Sequence, residues 1–213
     1  MTIEILLQNH PALTVCQDTI ETARDLLIDT YREGGMLLLC GNGGSAADCD
    51  HIAGELLKGF LSHRPLSEED CLALAESPPD GEADPDLYLL AGQLQGGLPA
   101  ISLPAQTAAL TAVCNDTDPA LIFAQLTWAL GQSGDTLICL STSGNSRNVV
   151  LAAKAAKTKG LRVLALTGER DSKLSELSDV TGRVPATDTY RVQEYHLPVY
   201  HYLCAAVEEA FFG

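Results

Sequence analysis

Basic residues are scarce in this chain of 213 residues, which has 13 lysines and arginines against 28 aspartates and glutamates. The formal net charge of −15 argues against nucleic acid or an anionic membrane as the main partner, because like charges repel. A local basic pocket for a phosphate is still compatible with this charge. Aromatic residues make up only 5% of the chain. The core is therefore expected to pack through Leu, Ala, Val and Ile, as α/β folds do.

Long apolar runs and cysteine motifs are also missing. No stretch approaches the roughly 20 apolar residues that a transmembrane helix needs. Met1–Leu7 lacks the basic start and the long apolar run of a signal peptide. We therefore expect no membrane partner and a cytoplasmic location. The seven cysteines are scattered and have no CxxC spacing, which predicts reduced thiols rather than a disulfide framework or a cysteine-based zinc site.

Short apolar runs alternate along the chain with segments in which apolar residues recur at helical spacing. The predicted strands are Met36–Cys40, Ala100–Leu103, Thr136–Leu140, Arg162–Leu166 and Thr181–Val184. The predicted helices are Asp18–Arg32, Ala46–Leu57, Thr107–Cys114, Phe123–Leu130, Arg147–Lys159 and Tyr190–Phe211. Strands that alternate with helices predict a parallel sheet with helices on both of its faces.

One segment, residues 63–97, interrupts this alternation. It is rich in Glu, Asp and Pro, as in Glu68-Glu69-Asp70 and Ser77–Gly81. We interpret it as an acidic insertion within a single domain that spans residues 1–213. Two short helices are expected inside it, near Cys71–Ala75 and near Leu87–Leu94. Connections of this length in compact domains are usually either functional or mobile.

Glycine and serine fill the loops that follow two of the predicted strands. Gly41–Ser45 comes directly after the first strand, and Ser141–Ser146, with four hydroxyls and one amide, comes directly after the third. Glycine lets the backbone approach an anion, and the N–H groups at the start of the next helix attract negative charge. The alternative is a pair of ordinary turns with N-caps. Two such loops at the carboxyl edge of a parallel sheet favour a phosphate site.

Two pairs of side chains could carry chemistry outside these loops. His51 and Glu55 are four residues apart on one predicted helix and share a face, which suits metal binding or acid–base chemistry as well as a solvated surface pair. Gln193 and His201 lie about 80° apart around the last helix and about 12 Å apart along it. Both side chains would have to reach inward to meet one ion. Pro198 lies between them and removes one helical hydrogen bond, which could bring them together or keep them apart.

Four segments resemble the sugar isomerase (SIS) domain family, and most closely its phosphoheptose isomerases. They are Cys40–Leu56 (CGNGGSAADCDHIAGEL), Leu110–Asp116 (LTAVCND), Leu140–Val149 (LSTSGNSRNV) and Val192–His201 (VQEYHLPVYH). The resemblance covers nearly the whole chain except residues 63–97. It implies a flavodoxin/Rossmann-like three-layer α/β sandwich with a five-stranded parallel sheet and extra N-terminal helices. It also implies a homotetramer with active sites at subunit contacts.

The resemblance implies roles for particular residues. The expected substrate and phosphate contacts are Asn42, Gly43, Gly44, Ser45, Asn115, Asp116, Ser141, Thr142, Ser143, Ser146 and Gln193. His51, Glu55, Gln193 and His201 match a zinc site found in many members, and Glu55 and His201 match the acid–base pair. The implied reaction is the aldose–ketose isomerisation of sedoheptulose 7-phosphate to D-glycero-D-manno-heptose 7-phosphate through an enediol.

Two other functions are compatible with the same motifs. One is a non-catalytic SIS protein resembling the replication-initiator-associating relatives, which lack the glutamate and the final histidine that stand here as Glu55 and His201. The other is an isomerase or a sensor of a different sugar phosphate. The chain also departs from the family pattern, in which a Gly-Arg pair follows the glutamate, because residues 56–60 read LLKGF. Lys58 does not reproduce the planar fork of an arginine, so the exact substrate is less well specified than the reaction class.

Overall fold

The computed structural model describes residues 1–75 and 84–213, so the predicted Ser77–Gly81 part of the insertion lies outside the described residues. Its parallel sheet has the strand order β2-β1-β3-β4-β5. The strands are β1 (Leu37–Gly41), β2 (Ala100–Ser102), β3 (Thr136–Leu140), β4 (Arg162–Thr167) and β5 (Val180–Arg183). This is the flavodoxin-like order. The predicted α/β fold with five parallel strands is confirmed.

Helices connect the strands and precede them at the N-terminus. In the described residues they are α1 (Ile3–Asn9), α2 (Gln17–Arg32), α3 (Gly44–Leu57), α4 (Glu68–Ala75), α5 (Pro85–Gln93), α6 (Thr107–Asp116), α7 (Ile122–Leu130), α8 (Arg147–Lys159), α9 (Lys173–Leu177) and α10 (Thr189–Phe212). Predicted and observed bounds differ by at most three residues. One of these differences affects predicted site residues. Helix α6 continues past its predicted end at Cys114, so Asn115 and Asp116 lie in its last turn rather than in a loop.

The central strands are buried because helices cover both faces of the sheet. Every residue of β1 and β3 is buried. Leu37 and Leu39 belong to one apolar cluster, with α2, α3 and α10, whereas Leu38 and Cys40 belong to a second cluster, with α7 and α8. Successive side chains of a strand point to opposite faces, so an uninterrupted apolar run is what two covered faces require. The result is the expected three-layer sandwich.

The connectivity of the sheet brings the two glycine- and serine-rich loops together. From β1 the chain crosses to β2 on one side of the sheet, and from β3 it crosses to β4 on the other side. The loops after β1 and β3 therefore flank the point at which the strand order reverses. Ligands of doubly wound sheets bind in the crevice that such a reversal opens.

The segment interpreted above as an acidic insertion, residues 63–97, has its two ends close together. Pro65 and Gln95 form an antiparallel bridge there, and the Gly96 N–H donates to the Arg64 carbonyl at 2.7 Å. The Gly59 N–H donates to the Gln95 side chain at 3.0 Å. These contacts hold the two ends of the segment together between α3 and β2. Among the described residues, no helix is both long and apolar enough to cross a lipid bilayer.

His196 of α10 is a buried histidine whose proton uptake should make folding sensitive to acid. Burial lowers its pKa to about 4. An unfolded histidine has an ordinary pKa near 6.5, so between these values the unfolded chain binds more protons and stability falls as the pH falls. We expect a loss of about 3 kcal/mol between pH 7 and pH 4 from this group alone.

The measurement is urea unfolding across this pH range. His196→Gln has no titrating group at this position. Its free energy of unfolding should therefore fall less between pH 7 and pH 4, whatever the stability of the variant at neutral pH. His63 is exposed, and His63→Gln serves as the matched control, whose free energy of unfolding should fall as that of the unaltered chain does. An unchanged fall in His196→Gln would show that other groups cause the acid sensitivity.

Candidate active site

The first loop has two successive glycines, and the backbone conformation requires the first of them. Gly43 has a φ of +57°, a value that residues other than glycine rarely adopt. At Gly44, an added Cβ would lie 2.5 Å from Gln193 Nε2, so the Gln193 side chain rests directly on the loop backbone. Ser45 is buried in the first turn of α3, and Asn42 is exposed. The loop thus presents backbone and amide groups at the start of a helix.

The second loop gathers hydroxyls at the start of α8. The Ser141 and Ser146 hydroxyls lie 3.1 Å apart, and Ser143 Oγ accepts from the Asn145 N–H at 3.2 Å. The N-cap, Ser146, makes no capping hydrogen bond with its side chain, which leaves the first N–H groups of α8 to other acceptors. Thr142 is half-buried and, with Ser143, lines a cavity of about 160 Å³.

A pair of amides joins the two loops. Asn42 Nδ2 donates to Asn148 Oδ1 at 2.9 Å, and Asn148 Nδ2 donates to Asn42 Oδ1 at 2.8 Å. Asn148 lies in the first turn of α8, so this contact holds the loop after β1 against the start of the helix after β3. The N-termini of α3 and α8, each with a partial positive charge, therefore converge at the switch point. A phosphate is the kind of anion that such an arrangement binds.

His51, Glu55 and His201 lie close together where α3 packs against α10. His51 Nε2 is 3.0 Å from Glu55 Oε1, as the spacing of four residues on α3 predicts. The His201 ring lies edge-on to the His51 ring, with 5.1 Å between the ring centroids. Two helices that are distant in sequence, α3 and α10, thus bring a carboxylate and two imidazoles into one cluster.

The environment of His201 favours its neutral form. Burial and the nearby His51 lower the pKa of His201, although Glu55 opposes the shift. His201 Nε2 is buried and has no hydrogen-bond partner among the described residues. An unsatisfied nitrogen in a polar cluster is costly unless a ligand completes it. This atom is therefore available to a substrate hydroxyl or to a metal ion.

Gln193 and the Asn115–Asp116 pair lie apart from that cluster. Within residues 1–75 and 84–213, no hydrogen bond joins Gln193 to His51, Glu55 or His201, and no group of three or more His, Cys, Asp or Glu side chains is arranged to hold a metal ion. Asn115 and Asp116 are exposed and contact each other, the Asn115 Nδ2 donating to Asp116 Oδ1 at 2.8 Å. Of the four predicted zinc ligands, His51, Glu55 and His201 are therefore neighbours. Gln193 lies at the first loop instead.

Two side chains that the sequence analysis did not select complete the cluster. The Tyr200 hydroxyl lies 3.0 Å from His51 Nδ1 and 3.3 Å from Asp48 Oδ1. Burial, followed by the influence of Asp48, raises the pKa of Tyr200. Asp48 precedes His51 by three residues on α3, and this helical spacing was the signal that could have identified it.

A buried ion pair fixes α3 to α10 behind the cluster. Arg64 Nε donates to Glu208 Oε1 at 2.8 Å, and the two side chains are 0% and 3% exposed. Arg64 also donates to the carbonyls of Leu56 at 2.8 Å and Glu55 at 3.0 Å, at the C-terminus of α3. Lys58, by contrast, is exposed and donates to the Gly59 carbonyl at 2.9 Å. Arg64, not Lys58, is therefore the cation bound to the end of α3.

The sequence of this chain is similar to those of known sugar isomerases. The SIS domain family model matches residues 11–83 and 90–168. Phosphoheptose isomerase of Burkholderia pseudomallei strain 1710b is 37% identical over 195 residues, which are 92% of this chain and 83% of the relative. Phosphoheptose isomerase of Thiobacillus denitrificans is 39% identical over 197 residues, covering 91% of this chain and 84% of the relative.

Two solved structures of phosphoheptose isomerases are similar to this chain in fold. Phosphoheptose isomerase GmhA from Neisseria gonorrhoeae superposes with a TM-score of 0.74 at 31% identity, over 94% of this chain and 91% of that one. A phosphoheptose isomerase from Francisella tularensis gives a TM-score of 0.75 at 28% identity, over 97% and 94%. The chain belongs to the SIS domain family and, within it, to the phosphoheptose isomerases.

Proposed function

We propose that this protein is an aldose–ketose isomerase that converts sedoheptulose 7-phosphate into D-glycero-D-manno-heptose 7-phosphate. The observation that carries the proposal is the cluster of Glu55, His51 and His201, in a chain whose two glycine- and serine-rich loops converge at the switch point of the sheet. A binding protein without catalysis has no need of a carboxylate grouped with an unsatisfied imidazole. The cluster therefore favours an enzyme over the non-catalytic alternative.

The two loops would hold the phosphate and orient the sugar. In this proposal, the hydroxyls of Ser141, Thr142, Ser143 and Ser146 and the backbone of Asn42, Gly43, Gly44 and Ser45 surround the phosphate. Asn115, Asp116 and Gln193 are proposed as contacts to the sugar. Holding the substrate at one end fixes its reacting carbons near Glu55 and His201, and such positioning lowers the entropic part of the barrier.

Glu55 and His201 would divide the two proton transfers of the isomerisation. The Glu55 carboxylate takes a proton from C1 of the ketose and returns it to C2, through an enediol. His201 accepts the proton of the O1 hydroxyl on its neutral ring and delivers it to O2. One carbon-bound and one oxygen-bound proton move, so the atoms balance without an oxidant or a reductant. A lowered pKa keeps His201 ready to accept a proton near neutral pH.

The donor types of the predicted quartet suit zinc, and we propose that His51, Glu55, Gln193 and His201 would hold it. Imidazole nitrogen and carboxylate oxygen are ordinary zinc ligands, and His201 Nε2 is a buried donor atom without a partner among the described residues. Gln193 would have to leave its position on Gly44 to take part. When bound, zinc would polarise the substrate carbonyl.

We further propose that the enzyme is a homotetramer and that it works in the cytoplasm. Asn115 and Asp116 are exposed, far along the chain from the cluster, and a second subunit could complete a site that one chain leaves open. All seven cysteines are free thiols, as suits a reducing compartment. Light scattering coupled to gel filtration would measure the subunit number directly.

Incubation of the purified protein with sedoheptulose 7-phosphate tests the function. We expect the C1 proton signal of the aldose to appear in the NMR spectrum, with and without added zinc. Other ketose phosphates, tested for comparison, should turn over more slowly than sedoheptulose 7-phosphate. Faster turnover of one of them would reassign the substrate within the same reaction class. No turnover of any sugar phosphate would contradict the proposal and favour a binding protein.

A further inference from the structure

The Tyr200 hydroxyl bridges two groups on α3. It lies 3.0 Å from His51 Nδ1 and 3.3 Å from Asp48 Oδ1, and the tyrosine is only 2% exposed. Its ring also lies edge-on to His51 and to His201, with centroids 5.4 Å and 5.0 Å away. Tyr200 thus packs against both histidines of the cluster but approaches only one of them with its hydroxyl.

The hydrogen-bonding capacity of these groups fixes the direction of the bridge. A phenol has one proton to donate and an oxygen that can accept, whereas a carboxylate only accepts. Asp48 Oδ2 is buried without a partner among the described residues, so Oδ1 depends on the Tyr200 proton. If that proton pointed to His51 instead, both Asp48 oxygens would lack a donor, at the cost of an unsatisfied buried charge. The hydroxyl therefore donates to Asp48 and accepts from His51.

This direction determines which nitrogen of His51 carries the proton. To donate to Tyr200, Nδ1 must be protonated, and in the neutral ring Nε2 then has a free lone pair. Nε2 faces Glu55 Oε1 at 3.0 Å. Two acceptor atoms at this separation repel each other unless a proton or a cation lies between them. In the metal-free protein a second proton, on Nε2, can lie there, and a divalent cation would replace it. In either state Tyr200 holds the other nitrogen of the ring, as second groups do in metal-binding histidines.

We propose that Tyr200 is a positioning residue that, with Asp48, holds the proton of His51 on Nδ1 and turns Nε2 together with Glu55 toward a divalent cation such as Zn²⁺. The role of the cation rests on the proposed function. The position of the proton does not, because it is a property of the metal-free protein. The two claims can therefore fail separately.

Nitrogen-15 NMR of the His51 ring in the metal-free protein, recorded over a series of pH values, tests the position of the proton. We expect Nδ1 to carry a proton in the unaltered chain, whether or not Nε2 carries one as well. Tyr200→Phe removes the hydroxyl and keeps the ring, and Asp48→Ala frees the hydroxyl to donate to His51. Both variants should leave Nδ1 without a proton and Nε2 with one, which can bond to Glu55. Tyr202→Phe is the matched control, since Tyr202 is equally buried on α10 but contacts Arg24.

Zinc affinity, measured by competition with a fluorescent chelator, supplies the second readout. Tyr200→Phe should bind zinc about 10- to 100-fold more weakly than the unaltered chain, the usual effect of losing a partner of a ligating histidine. Tyr202→Phe should bind it as the unaltered chain does. An Nδ1 without a proton in the unaltered protein, or an unchanged His51 ring and zinc affinity in Tyr200→Phe, would overturn the positioning role. Absence of isomerase activity would refute the proposed function, while the NMR result would still decide this proposal.

Discussion

Glu55→Gln is expected to reduce turnover of the sugar phosphate by about 10²- to 10⁴-fold, the typical contribution of a general base. The amide has nearly the same shape as the carboxylate, and it can still form a hydrogen bond with His51 Nε2, which lies 3.0 Å from Glu55 Oε1. It cannot accept a proton from carbon. The loss should therefore fall on kcat rather than on KM, since in the proposed site other residues hold the phosphate. Steady-state kinetics would measure both constants.

The matched control is Glu33→Gln, because Glu33 is exposed and precedes β1, at the edge of the sheet opposite to the two loops. This variant should keep its activity. Circular dichroism and thermal unfolding would establish that Glu55→Gln retains the fold. A Glu55→Gln enzyme with more than about a tenth of the original kcat would exclude Glu55 as the base, since general bases contribute far more than this.

Arg64→Met is expected to destabilise the fold by about 3 to 5 kcal/mol, the cost of removing one partner of a buried ion pair. Methionine roughly fills the space of the arginine stem but leaves the Glu208 carboxylate without its guanidinium. The carbonyls of Leu56 and Glu55 would also lose their donor. Urea unfolding would measure the change, and because Arg64 holds the end of α3, the activity of the folded fraction should fall as well.

Glu208→Gln should cost less than Arg64→Met. Burial raises the pKa of Glu208, but N–H donors of Phe60 and Leu61 and the Arg64 guanidinium outweigh burial and lower it. The neutral amide retains an oxygen for some of these donors. Arg32→Met is the surface control, since Arg32 is 63% exposed beside Asp29, and such pairs contribute less than about 1 kcal/mol. Equal stability of Arg64→Met and Arg32→Met would show that the buried pair is not an anchor.

Local features of the site were predictable because they depend on regular backbone geometry. A strand followed by Gly41–Ser45 and a helix is a pattern within one short segment, and so is Ser141–Ser146 after β3. His51 Nε2 lies 3.0 Å from Glu55 Oε1 because residues four apart on a helix are neighbours. Even the juxtaposition of the two loops followed from the rule that parallel strands end at one edge of a sheet.

Contacts between distant segments were not predictable from the same patterns. Asn42 and Asn148 are 106 residues apart and Arg64 and Glu208 are 144 apart, and nothing in the spacing of either pair indicates that its members meet. The family resemblance grouped Gln193 with His201, but in the structure Gln193 lies on Gly44. Eight residues of α10 separate the two side chains along the helix axis, and α10 continues through Pro198.

The sequence by itself determined the order of strands and helices, the two glycine- and serine-rich loops and the pairing of His51 with Glu55, because residues close along the chain meet through backbone geometry alone. Only the tertiary structure decided that Tyr200 and Asp48 hold the other side of His51 and that Arg64 and Glu208 anchor α3 to α10. These contacts depend on how helices pack across the sheet. Packing places side chains by the shape and polarity of whole faces, which no short stretch of sequence specifies.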